Sequence, residues 1–152
     1  MTTCWRKWGM GPGIDTGFLV AWALAEHPGH AEARQWVSAE LSAHGSMVLT
    51  PQVIQEWIHV VTDPRRFTKP LTMKTAVEQA RQIWTSHQIR QVFPTEASTS
   101  LALQWLEEHR LGRKRILDTT LAATYYIHDI RVIATTDLRD FSIFGVFEVV
   151  TL

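Results

Sequence analysis

The chain has 152 residues, 45% of them hydrophobic and 20% charged, with fifteen basic residues against fifteen acidic ones. That length suits one domain with one core, and the balanced charge excludes a general attraction to nucleic acid, so such a partner has to be met by a local basic patch. Cys4 is the only cysteine, which excludes an internal disulfide and points to a reducing cytosol, and no apolar run approaches the roughly 18 residues that span a bilayer.

Residues 1–13 read as an N-terminal arm carrying Trp5, Arg6, Lys7 and Trp8 and ending in the Gly/Pro-rich stretch Gly9, Gly11, Pro12 and Gly13. A domain over 14–152 follows. A signal-peptide reading, with 17–25 as its apolar run, is opposed by the glycines and Asp15 that interrupt it and by bulky Trp22 at the cleavage site, so a cytoplasmic protein is expected. Residues 14–16 read as the end of a short or irregular first strand, and 17–26 as a helix broken by His27, Pro28 and Gly29. A second helix over 30–43 ends at Gly45, a residue suited to a C-terminal cap. Residues 47–50 form a strand, and Pro51 opens a helix that runs to Val61 or Thr62, since its missing N–H has no partner in a first turn anyway.

Apolar residues recur at helical spacing over 72–86, and 88–93 looks extended up to Pro94. Helices then fit 95–109 and 117–128, separated by a basic connection at 111–115. Residues 131–135 form a β-branched strand, 137–141 a turn, and 146–151 a last strand. Strands alternating with helices predict a three-layer α/β/α sandwich around a mostly parallel sheet.

Four carboxylates lie in or beside apolar segments: Asp15 in IDTGFLVAW, Glu56 in VIQEWIHVV, Asp118 in ILDTTLAATYY and Asp137 after RVIATT. Removing such a charge from water costs several kcal/mol without a partner, and gathering several adds repulsion. Because none of these runs except the leading Arg131 contains Lys or Arg, a bound cation is the simplest compensation, and hard oxygen donors select Mg²⁺ or Mn²⁺. Asp15 and Asp137 each follow a strand, so a parallel sheet brings them to one edge, where ligands bind in open α/β folds. Each also suits a structural role, Asp15 as a helix N-cap and Asp137 as an Asx-turn or cap residue. Glu56 lies mid-helix at the border of the arc formed by Val53, Trp57, Val60 and Val61, beside Gln52 and His59, where a solvated flank is the alternative. Asp118 shares an inward stripe with Leu121, Ala122 and Tyr125, close enough to the helix start to cap it.

The segments IDTGFLVAW, LTPQVIQEWIHVVTDPRR, ILDTTLAAT and VIATTDLRDF, in this order, resemble the PIN domain, and within it the VapC-type toxins of bacterial and archaeal toxin–antitoxin pairs. The resemblance implies that Asp15, Glu56, Asp118 and Asp137 are the acidic quartet, with Asp140 auxiliary. It implies hydrolysis of RNA phosphodiesters with Mg²⁺ or Mn²⁺, one or two ions being held by Asp15, Asp118 and Asp137, while Glu56 ligates an ion or orients water. It also implies a homodimer and inhibition by a small antitoxin that occludes the cleft. Two departures stand out: Gly17 replaces the usual Asn or Ser after Asp-Thr, and the glycine-rich approach to Asp15 replaces a hydrophobic strand. They motivate the rival reading, a non-catalytic RNA- or protein-binding module; a metal-dependent DNA nuclease is a third.

Thr16, Thr135 and Thr136 are placed to support the carboxylates, although strand threonines need no functional reason. Arg113, Lys114 and Arg115, with Arg110, make the one dense basic run and are RNA-phosphate candidates, against the alternative of a solvated loop; Arg65 and Arg66 are weaker ones. Trp22, Trp36, Trp57, Trp84 and Trp105 fall in helices, where packing or a subunit interface explains them better than base stacking, whereas Trp5 and Trp8 can touch RNA or a partner. The seven histidines form no zinc signature, and no GxSxG elbow is present.

Overall fold

The computed structural model describes residues 10–152; residues 1–9 of the arm, with Trp5 and Trp8, lie outside the described residues. Apolar and β-branched runs form five strands: β1 (Gly13–Ile14), β2 (Met47–Leu49), β3 (Ile89–Gln91), β4 (Val132–Thr135) and β5 (Glu148–Thr151). All pair in parallel in the order β3-β2-β1-β4-β5. The intervening helices are α1 (Thr16–Ala23), α2 (His30–His44), α3 (Pro51–Val61), α4 (Met73–Trp84), α5 (Glu96–Glu108), α6 (Ile116–Ile127) and the short α7 (Arg139–Ser142). Progress along the sheet reverses after β3, so right-handed crossovers put α1–α4 on one face and α5–α7 on the other. The result is the expected three-layer α/β/α sandwich.

Local chemistry sets the helix ends. The hydroxyls of Thr50, Thr72 and Thr95 accept the N–H groups of Val53, Thr75 and Ser98, three N-caps of the same kind. Gly45 ends α2 at φ 77°, a left-handed conformation that glycine adopts without penalty. Two differences from the sequence-based expectation are physical. Helix α1 stops at Ala23 because Leu24 turns extended and buried, and the His27 N–H then closes a turn on its carbonyl at 3.1 Å. The turn expected over 137–141 tightens into α7, which carries buried Phe141 into the core.

The glycine-rich approach is part of the folded body. Gly11 and Pro12 are buried, and the Pro12 carbonyl accepts the Val48 N–H at 2.8 Å. A Cβ on Gly11 would stand 1.6 Å from the Ser46 carbonyl oxygen, and one on Gly13 would meet the Tyr125 ring at 2.7 Å. The segment is therefore glycine-rich because it threads between the Ser46 backbone and a buried ring, spaces too narrow for side chains. The Tyr125 hydroxyl accepts the Ile14 N–H at 3.2 Å and donates to the Ile14 carbonyl at 2.7 Å, with the Val48 carbonyl 3.1 Å away. It completes the pairing of β1 just before Asp15. Trp57 and Trp105 are core residues, and Trp22, Trp36 and Trp84 pack partly buried against the core. Among the described residues no helix is long and apolar enough to cross a membrane.

Candidate active site

The sheet's order reverses on either side of β1, so the chain leaves β1 and β4 in opposite directions and opens a crevice at their carboxyl ends. A groove of about 1160 Å³ lies there, and Asp15, Glu56, Asp118 and Asp140 all line it. Asp15 both caps α1 and lines this groove. Its Oδ1 accepts the Thr16 N–H at 2.8 Å and its Oδ2 accepts the Thr135 hydroxyl at 2.7 Å. Glu56 reaches over from α3, where its Oε2 accepts the Thr16 hydroxyl at 2.7 Å. Gln52, one turn earlier, donates to Glu56 Oε1 at 3.3 Å and to the Leu117 carbonyl at 3.1 Å, linking α3 to the start of α6.

Asp140, from the first turn of α7, lines the groove beside Asp15, Glu56 and Asp118, and Glu26 and Glu32 line it as well. Asp137 does not line the groove; its Oδ1 accepts the Arg139 N–H at 3.0 Å, with the Arg139 Nε 3.4 Å away, and its side chain is 42% exposed. Its carboxylate is taken up in closing this Asx turn. Asp140, three positions later, comes round to the groove.

Arg115 is the other displacement from expectation. It sits at the mouth of α6, and instead of facing outward with Arg113 and Lys114, which are exposed, its guanidinium lies between two of the acids. Nη2 donates to the Asp140 carbonyl at 2.6 Å, Nη1 lies 3.3 Å from Asp140 Oδ1, and Nε lies 3.8 Å from Asp118 Oδ2. Arg65 and Arg66 are also committed, pairing with Asp63 at 3.1 and 3.6 Å, though Arg66 borders the groove.

Electrostatics separates these acids. Burial, then repulsion from Asp140 and Asp15, pushes the Asp118 carboxyl up to about 7 despite Arg115 beside it. Burial also raises Asp15, more than its hydrogen bonds to Thr135 and Thr16 lower it, and Glu56 and Asp140 add repulsion. Asp140 is raised by burial and by Asp137. Asp137 goes the other way, held below the usual carboxylate range by the Arg139 N–H and guanidinium.

The donor set has the chemistry of a hard-cation site: Asp15, Glu56, Asp118 and Asp140 line one groove, three of them with raised pKa values, and Arg115 pairs with two of them. Among the described residues, however, no three His, Cys, Asp or Glu side chains converge as an ion-binding group. Their present hydrogen bonds and ion pairs account for that, because Thr16 engages Glu56, Thr135 engages Asp15, and Arg115 engages Asp118 and Asp140.

The three threonines divide. Thr16 and Thr135 hold carboxylates, as expected. Thr136 instead borders Gly17, where a Cβ would stand 2.3 Å from its Oγ1. The missing side chain at position 17 is the room that the Thr136 hydroxyl fills. Sequence reasoning missed Gln52 as a partner of Glu56 and took Arg115 for a phosphate contact rather than a partner of Asp118, although the spacings i to i+4 and i to i+3 put each pair on one helix face.

The family model for the PIN domain matches residues 14–145. Among solved structures, the chain is similar to VapC20 of Mycobacterium tuberculosis, a Sarcin-Ricin loop cleaving toxin, with 23% identity, a TM-score of 0.70 and coverage of 90% of this chain and 96% of that one. It is also similar to FitAB bound to the IR36 DNA fragment, with 16% identity, a TM-score of 0.63 and coverage of 91% and 93%. At these identities the likeness is one of fold. No curated protein matches the sequence.

Proposed function

We propose, from the premise that this chain belongs to the PIN domain family, that it is a divalent-metal-dependent endoribonuclease and the toxin of a type II toxin–antitoxin pair. The observation that carries this reading is the convergence of Asp15, Glu56, Asp118 and Asp140 on one groove at the sheet's switch point. Asp15, Asp118 and Asp140 would hold Mg²⁺ or Mn²⁺, and Asp137 would close the rim. Such an ion supplies Lewis-acid chemistry, lowering the pKa of water and offsetting charge that grows on phosphoryl oxygens.

The chain's own groups do the rest. Glu56, fixed by the Thr16 hydroxyl and Gln52, is poised to orient the attacking water and accept its proton at Oε1 or Oε2. Thr135 keeps Asp15 turned toward the groove. Arg113 and Lys114, exposed in the single 3₁₀ turn Arg113–Arg115 that leads into α6, are the phosphate contacts that neighbour the acids. No protein nucleophile is needed. RNA as substrate is supported by the fold shared with VapC20, a Sarcin-Ricin loop cleaving toxin, and a small antitoxin is the partner that goes with a toxin. Exposed Leu103, Ile116, Leu117, Leu138 and Ile143 offer apolar surface for that antitoxin and for a second copy in a homodimer. A cytoplasmic location follows from this reading.

Purified protein with Mn²⁺ should cleave single-stranded RNA and leave single-stranded DNA of the same sequence intact. EDTA and Asp15→Asn should each abolish cleavage. Full activity of Asp15→Asn would overturn the metal assignment, and equal cutting of DNA would overturn the choice of RNA.

A further inference from the structure

Arg115 differs from Arg66, which lines the groove with a side chain 61% exposed, and from Arg139 and Arg65. Arg139 and Arg65 have side chains 88% and 83% exposed, where an ion pair contributes little, whereas the Arg115 side chain is 24% exposed and flanked by Asp118 and Asp140, themselves 30% and 26% exposed. Its anchor is geometric. The short Nη2 bond to the Asp140 carbonyl ties the first turn of α7 to the mouth of α6 and so decides where the Asp140 carboxylate lies. Its Nε is buried without a hydrogen-bond partner among the described residues, and the facing Asp118 oxygen at 3.8 Å is beyond hydrogen-bond reach. A buried N–H left so is unfavourable by itself. Attraction to two carboxylates offsets it, so the guanidinium is held there by charge.

We propose that Arg115 is the resident cation of two groove acids: it holds Asp118 and Asp140 against their mutual repulsion, and it competes with a divalent ion for the same two carboxylates. This rests on the metal-ion reading above. The two acids that must turn toward an ion are the two now turned toward Arg115. An arriving ion has to draw them away, and the guanidinium, tethered through the Asp140 carbonyl, stays close enough to repel it. Arg115 is in this sense a positioning residue that also weakens metal affinity, and its place beside Asp118 makes it a poor contact for RNA phosphate.

Calorimetric titration with Mn²⁺ tests the competition. Arg115→Gln should bind Mn²⁺ about tenfold more tightly than the wild type, the scale of a unit charge a few ångströms from a divalent ion even at a water-like dielectric constant. Arg115→Lys, which keeps the charge, should stay within about threefold of wild type by the same reasoning. With EDTA present, Arg115→Gln should melt below the wild type. An affinity in Arg115→Gln equal to or weaker than wild type, while the wild type binds Mn²⁺ and Asp15→Asn does not, overturns the role of Arg115 and leaves the metal site standing. A wild type that binds no Mn²⁺ overturns both. A measurement on the unaltered chain covers the case in which Arg115→Gln does not fold: titrating ¹⁵N-labelled protein with Mg²⁺ should shift the Arg115 Nε–H resonance, and an unmoved resonance at saturation overturns the proposal.

Discussion

Two regions of this molecule handle aspartate in opposite ways. At the exit of α3, Asp63 accepts the Arg65 N–H at 2.9 Å and the Arg65 guanidinium at 3.1 and 3.2 Å, with Arg66 3.6 Å away. Every partner comes from within three residues, and the carboxyl is held below its usual range, first of all by Arg65. At the sheet's carboxyl edge, Asp15, Asp118 and Asp140 come from three distant segments and are all raised by burial, and one guanidinium serves only Asp118 and Asp140. A carboxylate compensated by its own turn is structure that happens to be charged. A group of carboxylates assembled by the fold with too little compensation stores a demand for positive charge, which is what a metal-dependent site needs.

That contrast can be broken most forcefully at Asp118. Asp118→Asn should lower RNA cleavage roughly 100-fold or more, as expected when a group that stabilises transition-state charge through a metal is lost. The same change should stabilise the fold in EDTA above neutral pH. A carboxyl raised from 3.8 to about 7 binds its proton more tightly folded than unfolded, so its contribution to stability falls as pH rises through that window. Melting curves from pH 4 to 8 should therefore show the wild type losing more stability than Asp118→Asn over that range. Equal slopes would place the two aspartate regions in the same class.

The frame of the acidic edge offers the next largest effect. Tyr125→Phe leaves the buried Ile14 N–H without its partner and should cost about 1–3 kcal/mol in urea unfolding. An undiminished midpoint would show that β1 finds another partner. On the other side of the comparison, Asp63→Asn should lower the melting temperature by a small amount at pH 7, the opposite sign to Asp118→Asn. The smallest effect belongs to Gly17→Ala: the Thr136 side chain can rotate away from the new methyl, so stability should change by well under about 1 kcal/mol, and a larger loss would mean that the Thr136 rotamer is fixed by the groove.

Much of the scaffold was legible because its causes are local. Pro51 at a helix start and Gly45 past a helix end act within one turn of chain, and Glu56 and Asp118, read on the border and on the inward side of their helices, both line the groove. Asp15 was read as either a cap or a site residue, and it serves as a cap in the groove wall. The glycine-rich approach was the least legible stretch. Its reason lies in Ser46 and in the Tyr125 ring, the latter 112 residues from Gly13 and invisible to any local pattern. The exchange of Asp137 for Asp140 at the groove depended on how the chain leaves β4. Placing Arg115 among the acids depended on α7 returning to the mouth of α6.

Residue order alone determined the alternation of strands and helices, the parallel sandwich and the gathering of acids at one sheet edge, because hydrophobic period, caps and right-handed crossovers are rules of the chain's own chemistry. Tertiary structure alone decided how those acids are compensated. Coulomb energy depends on distance through space and on burial, and the distance from Arg115 to Asp140 exists only once the sheet has brought two separate turns together.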